Sequence, residues 1–404
     1  MLQPYRNEFN LRFTDEGYKA LRRDLSRKTG VEIPFRVCET PCFFAREVID
    51  KLAAIGVELT NQLLDSPAYL KVSRDAIPDT YRVSGWSDHP HFMTVDFGFV
   101  KKADGSLEPK LVELQAFPSI FGYQSLLSQQ YIETFGLSEN LEWLLGKRTK
   151  ASYWRLLGEV ILGGHDPENV VLTEVEPDGQ KTLPDFKVYE DKLGIATVDI
   201  TKLRKEGERL FYQKGGRWIP IHRIFNRAIA DEMERKGTRL AFDLRDDLDV
   251  EWAGHPNWYF QISKLSLPYL NHPSVPKAVF LDEWFAGNSD LPEERERVLL
   301  KPLYSFAGKG IKFAPTDAEL AAIPVGERRL YLMQERVSFE PVIQTPEGLT
   351  QAEVRVLYVW PDGGTMEPTI GLVRLGRGMM MGVDHNRDQG WVGGSAALFP
   401  RSLA

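Results

Sequence analysis

The sequence predicts a mixed fold, with α/β and α+β elements in one chain, and three features carry that expectation. Short apolar runs bounded by polar or glycine-rich turns recur across the second half, at residues 298–300, 330–337, 352–359 and 370–375. Apolar residues at helical spacing dominate residues 43–64. Between them, residues 170–200 read strand, turn, helix, strand, the unit of an open α/β sheet.

Residues 9–26 carry a helical pattern with Thr14 as N-cap and Glu16 in the first turn, and Pro34 and Pro41 then break the chain. Over 43–64 the apolar face runs through Val48, Leu52, Ile55, Leu59 and Leu63, and packing against a core accounts for this helix. Residues 92–100 and 109–116 read as a hairpin joined by the polar stretch 101–108, with Asp104-Gly105 at its turn. In the second strand Glu113 and Gln115 take one face and Val112 and Leu114 the other. A solvated outer face suits Glu113 and Gln115 as well as a site does. Residues 117–123 are too apolar for an idle loop and suit a pocket floor, and a helix follows over 124–135.

Residues 151–245 read as an α/β domain of their own. Strand material at 160–162 and 170–175, a turn at Pro177-Asp178-Gly179, a helix over 182–193, a strand at 195–200 and a hairpin closing on Gly215-Gly216 make it up. Arg223, Asn226 and Arg227 stand at a strand end, where they either anchor structural carboxylates or face a cleft. No Gly-x-Gly-x-x-Gly is present, so no dinucleotide is assigned.

Residues 246–404 hold the features that suggest phosphate chemistry. The apolar run 298–300 ends at Lys301, a small-residue loop follows (Ser305, Ala307, Gly308, Lys309, Gly310), and 311–313 return as a strand. Such a loop lets backbone N–H groups approach phosphate oxygens, and the ammonium adds a point charge. An ordinary hairpin with a glycine turn fits the same residues. Lys264 precedes this segment. A helix is expected over 317–322, then a strand over 330–337 whose polar end holds Gln334, Glu335 and Val337. Glu353 and Arg355 share one face of the next strand, which also suits a cross-strand ion pair. Arg374 lies in the strand 370–375, and a last strand over 379–383 closes on Asp384-His385-Asn386.

Length and composition bound the rest. At 404 residues the chain has room for about two or three domains. Its net charge of −7 argues against a generic nucleic-acid binder, whose affinity rests on neutralising phosphates. The opening Met1-Leu2-Gln3-Pro4-Tyr5-Arg6 lacks the apolar core of a signal peptide and no window is apolar enough to span a bilayer, so a cytoplasmic protein without membrane contact is expected. Cys38 and Cys42 read as reduced thiols at a helix start rather than a disulfide or zinc site. His89 and His91 lack an obvious third ligand beyond Asp88 and read as loop residues.

The order Lys264, Lys301 with its glycine loop, Gln334-Glu335, Glu353-x-Arg355, Arg374, Asp384-x-Asn386 resembles the nucleotide site of ATP-grasp proteins. More closely, residues 90–400 or so resemble the circularly permuted ATP-grasp proteins grouped with glutathionylspermidine synthase. The resemblance implies a permuted ATP-grasp fold with a Rossmann-like pre-ATP-grasp domain over 151–245. An N-terminal helical region with the substrate-side hairpin (1–150) and a nucleotide-binding region (246–404) flank it. Lys264 and Lys301 are then expected to contact ATP phosphates, with the Ser305–Gly310 loop closing over them. Gln334, Glu335 and Val337 would hold adenine and ribose, and Glu353, Asp384 and Asn386 would ligate magnesium. The pair Asp384-x-Asn386 stands where the family usually has Glu-x-Asn. Asp96, Glu113, Gln115, Arg223, Asn226 and Arg227 are expected on the substrate side, and Arg355 or Arg374 is expected to stabilise the transferring phosphoryl group.

The implied reaction joins a small-molecule or peptide carboxylate to an amine. The carboxylate attacks the γ-phosphate of ATP, an acyl phosphate and ADP form, and the amine displaces phosphate. No protein nucleophile is needed, and the sequence offers no Ser/His/Asp or Cys/His arrangement. A phosphotransferase using the same clamp, and an inert nucleotide-binding homologue, are the alternatives.

Overall fold

The strand Gly348–Val359 is the middle of the largest sheet, and its burial explains its composition. Val354, Val356 and Tyr358 point to one face and Glu353, Arg355, Leu357 and Val359 to the other, all of them buried. In the computed structural model, which describes residues 2–304, 310–378 and 388–401, the sheet runs Cys42–Phe43, Gly393–Pro400, Glu367–Gly376, Gly348–Val359, Phe92–Lys101, Leu107–Gln115. Pro341–Thr345 and Leu141–Glu142 pair at its margins, and every ladder is antiparallel except that of Cys42–Phe43 with Gly393–Pro400.

One face is covered by the helix Arg46–Leu64, whose apolar side packs with Val354, Val356, Val373 and Ala397 in the main core. The other face divides. Leu357, Val359, Ile370 and Leu372 continue into a second core with Phe121 and Tyr153, while Glu353, Arg355 and Arg374 are left to a cavity. The helix Phe121–Phe135 packs beside that second core, against the strands Glu367–Gly376 and Gly393–Pro400.

Two further sheets close around the charged half. A small antiparallel sheet runs Ala278–Phe280, Tyr331–Glu335, Val298–Pro302, Lys312–Phe313. Val298, Leu300 and Met333 bury its back against Leu281 and Leu320. A parallel sheet runs Glu251–Ala253, Arg223–Asn226, Val170–Glu174, Ala196–Asp199. From its strand Val170–Glu174 the chain moves to one neighbour and later returns on the other side, so the crevice of an open α/β sheet falls at the carboxyl ends of Val170–Glu174 and Arg223–Asn226.

Several sequence expectations are corrected. Residues 160–162 are not strand but the last turn of the helix Lys150–Leu162, which opens on a capping box between Thr149 and Ser152 and buries Tyr153, Leu157 and Ile161 at helical spacing. The pattern over 9–26 is two helices, Gln3–Arg12 and Asp15–Thr29, because Thr14 caps the second by accepting from the Gly17 N–H. Cys38 and Cys42 are free, fully buried thiols, and Cys42 lies in a short strand rather than at a helix start. His89 and His91 do lie in the loop before the strand Phe92–Lys101, but the loop is not idle: His91 is buried and shares a 2.9 Å hydrogen bond with Asp362, while His89 stacks on Trp360. The expected strand over 379–383 lies outside the described residues. Among the described residues no helix is long and apolar enough to cross a membrane.

Gly56 shows how tightly helix and sheet meet. Tyr358 Oη donates within reach of the Ala53 carbonyl at 3.1 Å, and a methyl group at position 56 would run into that hydroxyl and ring. Gly56→Ala should therefore destabilise the fold although alanine is the better helix former. Overpacking costs about 1–3 kcal/mol, against a propensity gain of at most about 1 kcal/mol. Urea unfolding is expected to show a lower midpoint at unchanged slope.

Candidate functional site

Register builds the floor of the cavity. Arg355 pairs with Asp96 and Asp96 with Glu113, while Glu353 pairs with Arg374. Since residues opposite one another share a face, these five side chains stand together on one side of the central sheet. Arg355 grips Asp96 as a fork, Nε to Oδ1 and Nη2 to Oδ2, both at 2.6 Å. Arg374 bridges Asp96 and Glu353. Burial alone would push the Asp96 carboxyl up, but Arg355 and Arg374 outweigh it and hold the carboxyl below its usual value. Glu353 goes the other way: burial and the nearby Asp96 raise it despite Arg374 beside it. The same acids hold the Arg374 guanidinium more firmly protonated than usual, against the effect of burial.

The roof comes from the small sheet. Leu299 pairs with Gln334 and with Phe313, and Lys301 lies two residues on, so Leu299, Lys301, Phe313 and Gln334 present one face to the cavity. Among the described residues Lys301 Nζ hydrogen-bonds only the Val112 carbonyl, at 3.5 Å, and burial lowers its ammonium to about 8 even with Glu113 nearby. Lys264, at the start of a 3-10 turn, comes within 3.8 Å of Glu113. Gln115 Nε2 donates to Glu113 Oε1 at 3.1 Å and fixes that carboxylate in place. Gln334 is buried, and its side-chain carbonyl oxygen has no hydrogen-bond partner among the described residues.

The far wall comes from the parallel-sheet crevice and the loop before the helix Phe121–Phe135: Ser119, Ile120, Glu174, Gln180, Thr182, Arg227 and Glu232. Glu174 accepts from the Val175 N–H at 2.8 Å, and burial pushes its carboxyl up to about 8 against the pull of Arg227. Arg227 is buried, donates to the Pro118 carbonyl and lies over the rings of Phe117 and Phe186. Ile120 adopts φ 69° and ψ 18°, a left-handed placement costing about 1–2 kcal/mol for a residue with a Cβ. The three walls enclose a cavity of about 500 Å³, the size of a small-ligand site.

Of the residues singled out from sequence, Lys264, Lys301, Gln334, Val337, Glu353, Arg355, Arg374, Glu113, Gln115 and Arg227 line this one cavity. Others do not reach it. Asp96 lies beneath the arginines and orients them, being almost wholly buried. Arg223 starts its strand and binds Glu251 at 2.5 Å and the Val160 carbonyl at 2.9 Å. A strand rises roughly 3.3 Å per residue, which puts Arg223 at the end away from the cavity. Asn226 donates to the Ala228 carbonyl and faces a small neighbouring void with His255. Glu335 pairs with Val298, so its side chain takes the face opposite Gln334. Gly310 has φ 73° and faces Pro302 rather than the cavity. Ser305, Ala307, Gly308, Lys309, Asp384 and Asn386 lie outside the described residues. Among the described residues no cluster of three histidine, cysteine or acidic side chains forms a metal site. Glu174, Gln180, Thr182 and Glu232 gave no motif, but Glu174 at the carboxyl end of a parallel strand is where the crevice rule points.

Asp96→Asn is expected to cost about 3–5 kcal/mol at neutral pH, because it strips the partner from buried arginines. The pH dependence follows from the lowered carboxyl. The contribution of Asp96 is complete above its unfolded value and is lost as pH falls through the lower folded one. Melting temperature against pH should show a steep acid limb in the native protein and a flatter one in Asp96→Asn.

No protein-family model and no curated protein matches the sequence. Among solved structures, the chain is similar to a glutathione synthetase-like effector from Globodera pallida in its apo form, with a TM-score of 0.60 and 11% identity over 96% of each chain. At that identity the likeness is one of fold alone, a mixed α/β architecture.

Proposed function

We propose that the chain is an ATP- and magnesium-dependent ligase that joins a carboxylate to an amine through an acyl phosphate. We read it as a permuted ATP-grasp protein of the glutathionylspermidine synthase group, with residues 151–245 as its pre-ATP-grasp domain. The observation that carries the reading is the convergence of Lys264, Lys301, Arg355 and Arg374 with Glu113 and Glu353 on one cavity between two antiparallel sheets. The fold shared with a glutathione synthetase-like protein supports it.

The residues present suit the chemistry. Lys264 and Lys301 supply positive charge for the phosphates, and Leu299, Phe313 and Val337 offer an apolar bed for a base. The unpartnered Gln334 carbonyl oxygen suits an amino group. Glu353 uses Oε1 on Arg374 and is raised by burial, so a further positive charge would relieve it. With Glu113 it offers the hard oxygens magnesium prefers, and Asp384 and Asn386 would complete the set. Bound there, magnesium neutralises phosphate charge. Arg355 and Arg374, locked by Asp96, face the transferring phosphoryl group without needing to reorganise. Glu174 and Glu232 form the end that takes the amine of the acceptor, and Glu174, raised to about 8, is in its ionised form a base strong enough to accept the amine's proton.

Release of ADP and phosphate with magnesium–ATP, carboxylates and amines tests the reading, and Lys301→Ala should lower kcat/KM for ATP roughly 100-fold or more. Turnover equal in both would remove the assignment. A phosphorylated product in place of free phosphate would make the protein a phosphotransferase, and a melting shift without ADP release would leave it a binder. The pH profile is a separate check. Lys301 is cationic below about 8, so kcat/KM for ATP should fall as pH rises through that value, and Lys301→Arg should flatten the fall.

A further inference from the structure

Ile120 is the only β-branched residue with positive φ among the described residues, and the only non-glycine one of that kind on the cavity wall. Its neighbours over-determine that backbone. Ile120 N–H donates to Asp185 Oδ2 at 3.0 Å and Tyr123 N–H to Asp185 Oδ1 at 2.8 Å. Gly122 N–H donates to Tyr189 Oη at 3.1 Å, and Arg227 holds the Pro118 carbonyl. Asp185 and Arg227 are both buried, and both come from the parallel-sheet side. Two buried charges thus clamp a turn that glycine would adopt without strain. Strain held by so much surrounding structure points to a function for the side chain it places.

We propose that Ile120 is a specificity-determining residue. Clamped by Asp185 and Arg227, its branched side chain sets the width of the acceptor end of the cavity and so limits branching beside the reacting nitrogen. This rests on the ligase reading. Ile120 is half-buried where two cores meet, and its wall neighbours Ser119, Glu174 and Ile229 complete the slot. A single methyl group in such a slot changes discrimination by about 10–200-fold.

The test compares native protein with Ile120→Gly, using primary amines that differ only in branching at the carbon bearing nitrogen. Expected are a native preference for the unbranched amine, a ratio at least tenfold smaller in Ile120→Gly, and a melting temperature equal to or above native. Ile120→Val, which keeps the branch at Cβ but is one carbon shorter, should give a ratio between those of the native protein and Ile120→Gly. An unchanged ratio in Ile120→Gly, with ADP release intact, overturns the proposal and leaves the ligase reading standing. A melting temperature lowered by several degrees in both Ile120→Gly and Ile120→Asn (two residues that tolerate this backbone) also overturns it, since the side chain would then be serving the core. If no amine drives ADP release in the native protein, it is the ligase reading that fails. The wedge is then judged by Ile120→Cys with methyl methanethiosulfonate, Cys38 and Cys42 being fully buried. Labelling slowed by magnesium–ATP or by amine supports a cavity-shaping role, and labelling indifferent to both overturns it.

Discussion

The buried ion network of Asp96 with Arg355 and Arg374 is the constraint on which the rest of the site depends. A carboxylate almost wholly out of water is tolerable only with its charge matched and its lone pairs used, and the two guanidinium groups do both. The network spans three adjacent strands, Phe92–Lys101, Gly348–Val359 and Glu367–Gly376. A slip of one residue in Gly348–Val359 would turn Val354 and Val356 toward the cavity and bury Arg355 in the main core, so the ion pairs and the apolar face enforce one register. The arginines are thereby aimed before any ligand arrives.

What the network leaves unbalanced is as informative as what it satisfies. Arg355 and Arg374 are answered by Asp96 and Glu353, but Lys301 is held by a distant carbonyl and its ammonium is lowered by burial. Glu353 and Glu174 are raised for the same reason. Acids pushed up and a lysine pushed down around one cavity mark a candidate functional site rather than a finished core. Under the proposed reading, a polyanion with a divalent cation supplies both signs at once, which a single small anion would not.

Much of this was legible in the chain, and the failures have physical causes. Glu353 and Arg355, two apart in an apolar run, announced a charged face because the strand period is two. Lys301 was legible because three apolar residues precede it. Asp96 is expected from sequence on the substrate side and lies beneath the arginines instead of lining the cavity, because no one-dimensional pattern shows which of two polar groups lies beneath the other. Arg223 and Arg227 looked equivalent, yet they sit at opposite ends of a short strand, and only the orientation of that strand separates them. The strand Gly393–Pro400 escaped notice because Gly393, Gly394 and Ser395 weaken its apolar signal, although Ala397, Leu398 and Phe399 are fully buried. Glu174 ends an apolar strand without a motif, and its meaning comes from the crevice that the parallel sheet opens.

The three walls also differ in how they are built, and that difference bears on what can change. The floor is fixed by paired strands and buried ions, so altering any member disturbs the register of the largest sheet. The roof rests on a small sheet with its own core of Val298, Leu300 and Met333, which holds Lys301 and Gln334 by ordinary packing. The far wall is set by one loop, clamped by Asp185 and Arg227, and by residues just past the ends of two strands. Substitutions at Ile120 or Ile229 leave every strand pairing of the floor intact. Under the proposed reading, phosphoryl chemistry is therefore held by the parts of the fold that tolerate least change, and choice of acceptor by the part that tolerates most.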